Sequence, residues 1–223
     1  MEINNSWLAC YRPNPSATFR LFCFSYAGSG ATVFRSWSKD LPPNIEVCPI
    51  QYTGRNHRLH DPLFTDISSL VAMLGKDLLA MMDKPFAFFG HSMGGKICFE
   101  LARYLRRQNK RGPFHLLVSG CRAPQIPNEE PATYNLPYPQ FIEELKQING
   151  TPPEFFEYPE LLELMILVLR ADFELVQTYT YQPEPPLDIP ISAFGGCEDV
   201  DVTREHLEKW AEQTSSSFLR RQN

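Results

Sequence analysis

The sequence holds 223 residues, 43% of them hydrophobic and 21% charged, with a formal net charge of −5. That length supports one substantial core in a compact domain, and the acidic balance argues against a general nucleic-acid binder. Residues 1–13 show no basic stretch followed by an apolar one, and the apolar run at Leu164 to Leu169 is far too short to cross a bilayer, so neither secretion nor membrane insertion is expected.

Along the chain, residues 19–24 form an apolar and aromatic run that stops at Tyr26-Ala27-Gly28-Ser29-Gly30, the pattern of a buried strand entering a small-residue turn. Val33, Phe34, Trp37 and Leu41 have helical spacing and predict a helix over 31–41, with the next strand at 45–52. Asp66 is placed to cap a helix whose apolar face is Ile67, Leu70, Val71, Leu74, Leu78 and Met81. A short strand at 85–89 runs into Gly90-His91-Ser92-Met93-Gly94-Gly95, and a helix follows with Ile97, Leu101, Tyr104 and Leu105 on one side. Another strand is expected at 114–119. Such alternation favours an α/β fold, a mostly parallel sheet covered on both faces.

The alternation breaks over 122–188, a proline-rich stretch with two predicted helices, 139–148 and 159–178. The second is apolar almost all round between Leu161 and Leu169, so more than one of its faces needs cover. The pattern resumes with a strand at 189–194, a helix at 203–213 and a strand at 216–220. The expected organisation is a single domain over 1–223 with a lid insertion at about 122–188.

Gly90-His91-Ser92-Met93-Gly94 fits G-x-S-x-G, the nucleophile elbow of an α/β-hydrolase. A serine that attacks a carbonyl must stand on a sharp strand-to-helix turn, and glycines two residues to either side keep that turn clear of its neighbours. The helix that follows aims its first amides, and its positive dipole end, at a developing oxyanion. Ser92 is therefore the candidate nucleophile and Met93 a candidate oxyanion-hole amide. The turn at Tyr26 to Gly30 is the expected source of the second amide, from Ala27 or one residue either way. Val33 stands where a dinucleotide fingerprint would need its third glycine, which weakens that alternative.

Chain order in this fold is Ser, Asp, His, so the acid is sought after a late strand. Asp199, in Gly195-Gly196-Cys197-Glu198-Asp199, is preferred over Glu198 and Asp201. The base has no good candidate. His206 lies on a predicted helix, His91 should point away from the site, His57 and His60 lie in a polar loop, and His115 starts a strand. The catalytic histidine is expected beyond Asn223, within roughly the next ten residues and after a glycine-containing turn.

Phe24-Ser25-Tyr26-Ala27-Gly28, Tyr52-Thr53-Gly54-Arg55, the Ser92 elbow, Leu169-Arg170-Ala171-Asp172 and Gly196-Cys197-Glu198-Asp199, with Trp210 beyond, run in one order over nearly the whole chain. In this the sequence resembles the type II thioesterases that accompany nonribosomal peptide and polyketide synthases. The resemblance implies hydrolysis of acyl or aminoacyl groups from the phosphopantetheine arms of carrier proteins, clearing stalled or wrongly primed carriers. Ser92 and Asp199 match that family's catalytic positions, and its histidine has no counterpart in these 223 residues. A small serine esterase or lipase, or a catalytically dead hydrolase-fold binding protein, are the rival readings.

No metal or other cofactor is expected, because the six cysteines are scattered and no Cys/His cluster has zinc spacing. Reduced thiols point to the cytoplasm. Acyl or peptidyl carrier proteins are the expected partners of a monomeric enzyme, without nucleic acid or membrane. Arg103, Arg106, Arg107, Lys110 and Arg111 cluster at a helix C-terminus, where they either oppose the dipole in solvent or help dock acidic carriers. Lys96, just past the elbow, is more polar than its position calls for.

Overall fold

The computed structural model describes residues 6–9, 11–128, 130–147, 156 and 158–222. Six strands, β1 (Phe19–Phe24), β2 (Ile45–Pro49), β3 (Phe86–His91), β4 (Leu116–Ser119), β5 (Ile191–Gly195) and β6 (Phe218–Gln222), form one parallel sheet in the order β2-β1-β3-β4-β5-β6. The chain leaves β1 toward β2 on one side and leaves β3 toward β4 on the other. A crevice between the carboxyl ends of β1 and β3 results, the switch point where open α/β sheets hold ligands. The turn after β1 and Ser92 both lie there.

Alternation along the strands separates two faces. Phe22 and Phe24 of β1 and Phe86 and Phe88 of β3 point into the main core, where α2 (Ile67–Asp77) and α3 (Met93–Arg107) cover them with Leu70, Leu74, Ile97 and Leu101. Each such side chain, when fully buried, contributes about 1.5–3 kcal/mol. Asp66 caps α2 as its position implied, accepting from the amides of Ser68 at 2.9 Å and Ser69 at 3.2 Å. Leu21, Cys23, Val47 and Ala87 face the other way, beneath Phe34, Trp37 and Leu41. Cover on that second face is partial among the described residues. A groove of about 420 Å³, lined by Phe19, Phe89, Phe114, Leu117 and Phe194 among others, stays open there.

The helix expected over 31–41 is instead a 3-10 turn, Ala31–Phe34, followed by α1 (Trp37–Asp40). A three-residue repeat stacks Ala31 and Phe34 against the sheet while leaving Val33 39% exposed, and the β-branched Thr32 and Val33 resist a regular α-turn. Residues 203–213 likewise divide into α6 (Arg204–Glu208) and a 3-10 turn, Lys209–Gln213.

In the insertion, α4 (Tyr138–Gln147) and α5 (Pro159–Gln177) enclose a small core of their own made by Phe141, Leu145, Leu162, Ile166 and Leu169. The C-terminal turns of α5 reach the main core through Leu175. Leu164 and Leu167 are 46% and 64% exposed, while Leu162, Ile166, Val168 and Leu169 are buried. Ile148 lies outside the described residues, as does the side chain of Leu161.

Candidate functional site

Ser92 follows β3 and caps α3 with φ 51° and ψ −115°, a left-handed conformation unusual for a residue with a side chain. Strain of this kind is worth about 1–3 kcal/mol and persists only where the surroundings over-determine it. Here they do. The Ser92 amide donates to the Ser119 carbonyl at 2.8 Å. A Cβ on Gly90 would collide with the carbonyl of Gly94, and one on Gly94 with the Phe24 carbonyl of β1. Both glycines of G-x-S-x-G are thus required by backbone packing. Met93 is the first residue of α3 and 2% exposed. Its N–H has no acceptor within the helix and points from the positive end of the dipole.

Across the crevice, Gly28 follows Ala27 with φ 76°, and its amide donates to Asp172 Oδ2 at 2.7 Å. That carboxylate also accepts a short hydrogen bond from Arg55 Nη2. The same guanidinium donates through Nε to the Ser29 carbonyl at 2.7 Å and through Nη1 to the Thr53 carbonyl at 2.8 Å, with the Tyr52 ring 5.2 Å away. Arg55 and Asp172 are 6% and 5% exposed. Burial pushes the Asp172 carboxyl above its ordinary range, opposed by the Arg55 charge and the Gly28 amide. The Gly28 amide is thereby held by Asp172. Three sequence blocks, around Tyr26, Arg55 and Asp172, therefore meet around one turn. Sequence reasoning missed this pairing, because nothing local links residues 117 positions apart.

Asp199 lies in the turn after β5 and is half-buried, whereas Glu198 and Asp201 are exposed. Its Oδ1 accepts from the amides of Asp201 at 3.0 Å and Val202 at 2.9 Å, which orients the carboxylate. Its charge also reaches the ring of His91, the residue before Ser92. Burial lowers the basicity of that ring and Asp199 partly restores it.

Each histidine with a hydrogen bond is engaged elsewhere. His91 Nδ1 is 3.1 Å from Ser119 Oγ and its ring packs edge-on against Tyr26. His115 Nε2 is 2.9 Å from Ser192 Oγ, and exposed His57 is 3.3 Å from the Ser6 carbonyl. His206 closes a capping box with Thr203, and His60 is exposed. None of the five is hydrogen-bonded to Ser92 or Asp199 among the described residues.

Two positions left open in the sequence gain an account. Lys96 Nζ sits 5.4 Å above the Tyr179 ring, a cation–π contact worth about 0.5–2 kcal/mol, and burial lowers its pKa. The basic cluster is largely engaged within the chain: Arg103 bridges Glu100 and Glu184, and Arg106 and Arg107 also hold Glu184.

The thioesterase domain model matches residues 19–222. The gramicidin S biosynthesis protein GrsT of Aneurinibacillus migulanus is 42% identical over 214 residues, spanning 96% of this chain and 84% of that protein. Linear gramicidin dehydrogenase LgrE of Brevibacillus parabrevis is 44% identical over 215 residues, 95% of this chain and 82% of its own length. The solved type II thioesterase BorB from the borrelidin biosynthetic cluster superposes with a TM-score of 0.88 at 33% identity, covering 98% of this chain and 89% of that one. A parallel α/β-hydrolase sheet, an elbow serine at its switch point and these likenesses lead to one conclusion: the chain belongs to the thioesterase domain family, hydrolases that act on acyl thioesters.

Proposed function

We propose that this protein is a type II thioesterase that frees acyl groups from the phosphopantetheine arms of carrier proteins, by way of an acyl-enzyme on Ser92. The strained elbow of Ser92, facing the Ala27 turn across the switch point, carries this reading. Ser92 Oγ attacks the thioester carbonyl as a base takes its proton. The amides of Met93 and Ala27 hold the oxyanion, the pantetheine thiol leaves with a proton, and water then releases the acid. Asp199 orients the base and stabilises its imidazolium.

The base itself we assign to a histidine following β6. Gly195 of β5 pairs with Gln222 of β6, so the carboxyl end of β6 lies beside the turn that carries Asp199. Lacking an imidazole, the oxyanion hole and binding alone leave about 10³- to 10⁴-fold catalysis over water. Expressing residues 1–223 beside a version that continues past them tests this. Enzyme-like turnover by the shorter chain would overturn it.

The enzyme acts as a cytoplasmic monomer, with carrier proteins as partners and no nucleic acid or membrane. Among the described residues no helix is long and apolar enough to cross a membrane. We read residues 122–188 as a lid over the acyl group, supported by the separate small core of α4 and α5. Met165, on the edge of that core, is the test position: Met165→Trp should disfavour long acyl chains, and an unaltered chain-length profile counts against it.

Hydride transfer is a second reading, favoured by the name of LgrE. Against it, the Gly28-Ser29-Gly30 turn leads into a four-residue 3-10 segment, and Asp172 and Arg55 grip its backbone where a pyrophosphate would need amides. Acyl release from loaded carrier protein, with Ser92→Ala as control and nicotinamide oxidation followed in parallel, decides between them. Loss of turnover and of the acyl-enzyme mass in Ser92→Ala is expected, and near-wild-type turnover would sink the assignment.

A further inference from the structure

We infer that Asp172 and Arg55 are positioning residues for the oxyanion turn, and that helix α5 of the insertion is tied through them to the catalytic centre. The inference rests on the proposed role of Ser92 and Ala27. One ion pair grips two nearby peptide groups of the turn: the carboxylate takes the Gly28 N–H and the guanidinium takes the Ser29 carbonyl. Fixing the Gly28 amide leaves the neighbouring Ala27 amide as the free donor. From the same helix, Leu169 fits the face of the turn that lacks a Cβ, since a Cβ on Gly28 would stand 2.5 Å from Leu169 Cδ2. Helix α5 thus touches the turn twice, three residues apart.

Burying a charge pair is a poor route to stability, because well-packed apolar side chains do as well or better. An ion pair is suited to directional control. The planar fork of Arg55 satisfies Asp172, Ser29 and Thr53 at once, which a lysine could not reproduce. A shift of α5 would carry Asp172 away and release the Gly28 amide, so the lid's position sets the geometry of the oxyanion hole.

The test uses the full-length protein as Asp172→Asn and as the neutral pair Arg55→Met with Asp172→Asn, each checked for folding by thermal melting. The kcat should fall about 10²- to 10³-fold, as when one oxyanion donor is lost, with KM little changed. Affinity for an alkyl boronic acid, which forms a tetrahedral adduct on Ser92, should fall at least tenfold, while an acyl-pantetheine amide binds as before. A folded variant with wild-type kcat, or with both ligands weakened equally, overturns the inference. So does failure of both variants to fold, which would make the pair a folding element. Wild-type turnover separates the two readings: if it is absent, the proposed function fails. Exchange of the Gly28 amide then still reads the grip, and unchanged protection in Asp172→Asn would refute it.

Discussion

The turn at Ser92 is shaped by close backbone packing, at Gly90 against Gly94 and at Gly94 against Phe24 of β1. The turn at Ala27 is shaped by side chains from far away, Arg55 26 residues from Ser29 and Asp172 144 residues from Gly28. The two turns face each other across the crevice, the first closed by backbone atoms and the second held by side chains. A nucleophile, the role proposed for Ser92, has to stand in one place, so a rigid backbone device suits it. The oxyanion hole proposed at Ala27 is needed only during reaction, and the inferred tie to helix α5 would make it conditional.

That contrast breaks most visibly at Gly94. A Cβ there meets the Phe24 backbone, which has nowhere to go, so Gly94→Ala is expected to cost about 3 kcal/mol or more and to leave little folded protein in urea titrations. Gly28→Ala should be milder, about 1–3 kcal/mol. Its Cβ meets the flexible end of Leu169, and the penalty lies mostly in the left-handed backbone. Equal destabilisation at the two positions would dissolve the distinction between a backbone-locked and a side-chain-held turn.

The smallest effect is expected where the same kind of long-range pairing sits near the surface. Burial alone would raise the Glu184 pKa, but hydrogen bonds from Arg106, Arg103 and Arg107 outweigh it and bring it from 4.5 to about 2. A carboxyl depressed on folding stabilises fully above its unfolded pKa. Its contribution is therefore lost as pH falls from 4.5 toward about 2. Glu184→Gln should flatten the acid limb of the melting temperature in that window and cost about 1 kcal/mol or less at neutral pH. An unchanged acid limb would mean that these arginines hold nothing.

Legibility from sequence followed the same division. Strand β1, the Asp66 cap and the Ser92 elbow depend on neighbouring residues, and all three were readable as runs, caps and spacings. The Arg55–Asp172 pair was not, because pattern carries no information on which buried charges meet over 117 residues. The exposed face of α5 escaped for the opposite reason: Leu164 and Leu167 resemble core residues, and hydrophobicity alone does not reveal that nothing described covers them. Chain order pointed to the turn after β5, while the half-burial of Asp199 and its reach to His91 are matters of tertiary structure.

The backbone of Ser92 also sets stability against use. At φ 51° a glycine would sit without strain, so exchanging the serine for glycine should make the folded protein more robust while removing the hydroxyl. A screen for heat resistance alone would drift toward that exchange, and, with Ser92 as the proposed nucleophile, only a screen that also demands acyl release would keep the serine. Thermal tolerance in this lineage is then best sought away from the elbow, where added stability does not trade against turnover.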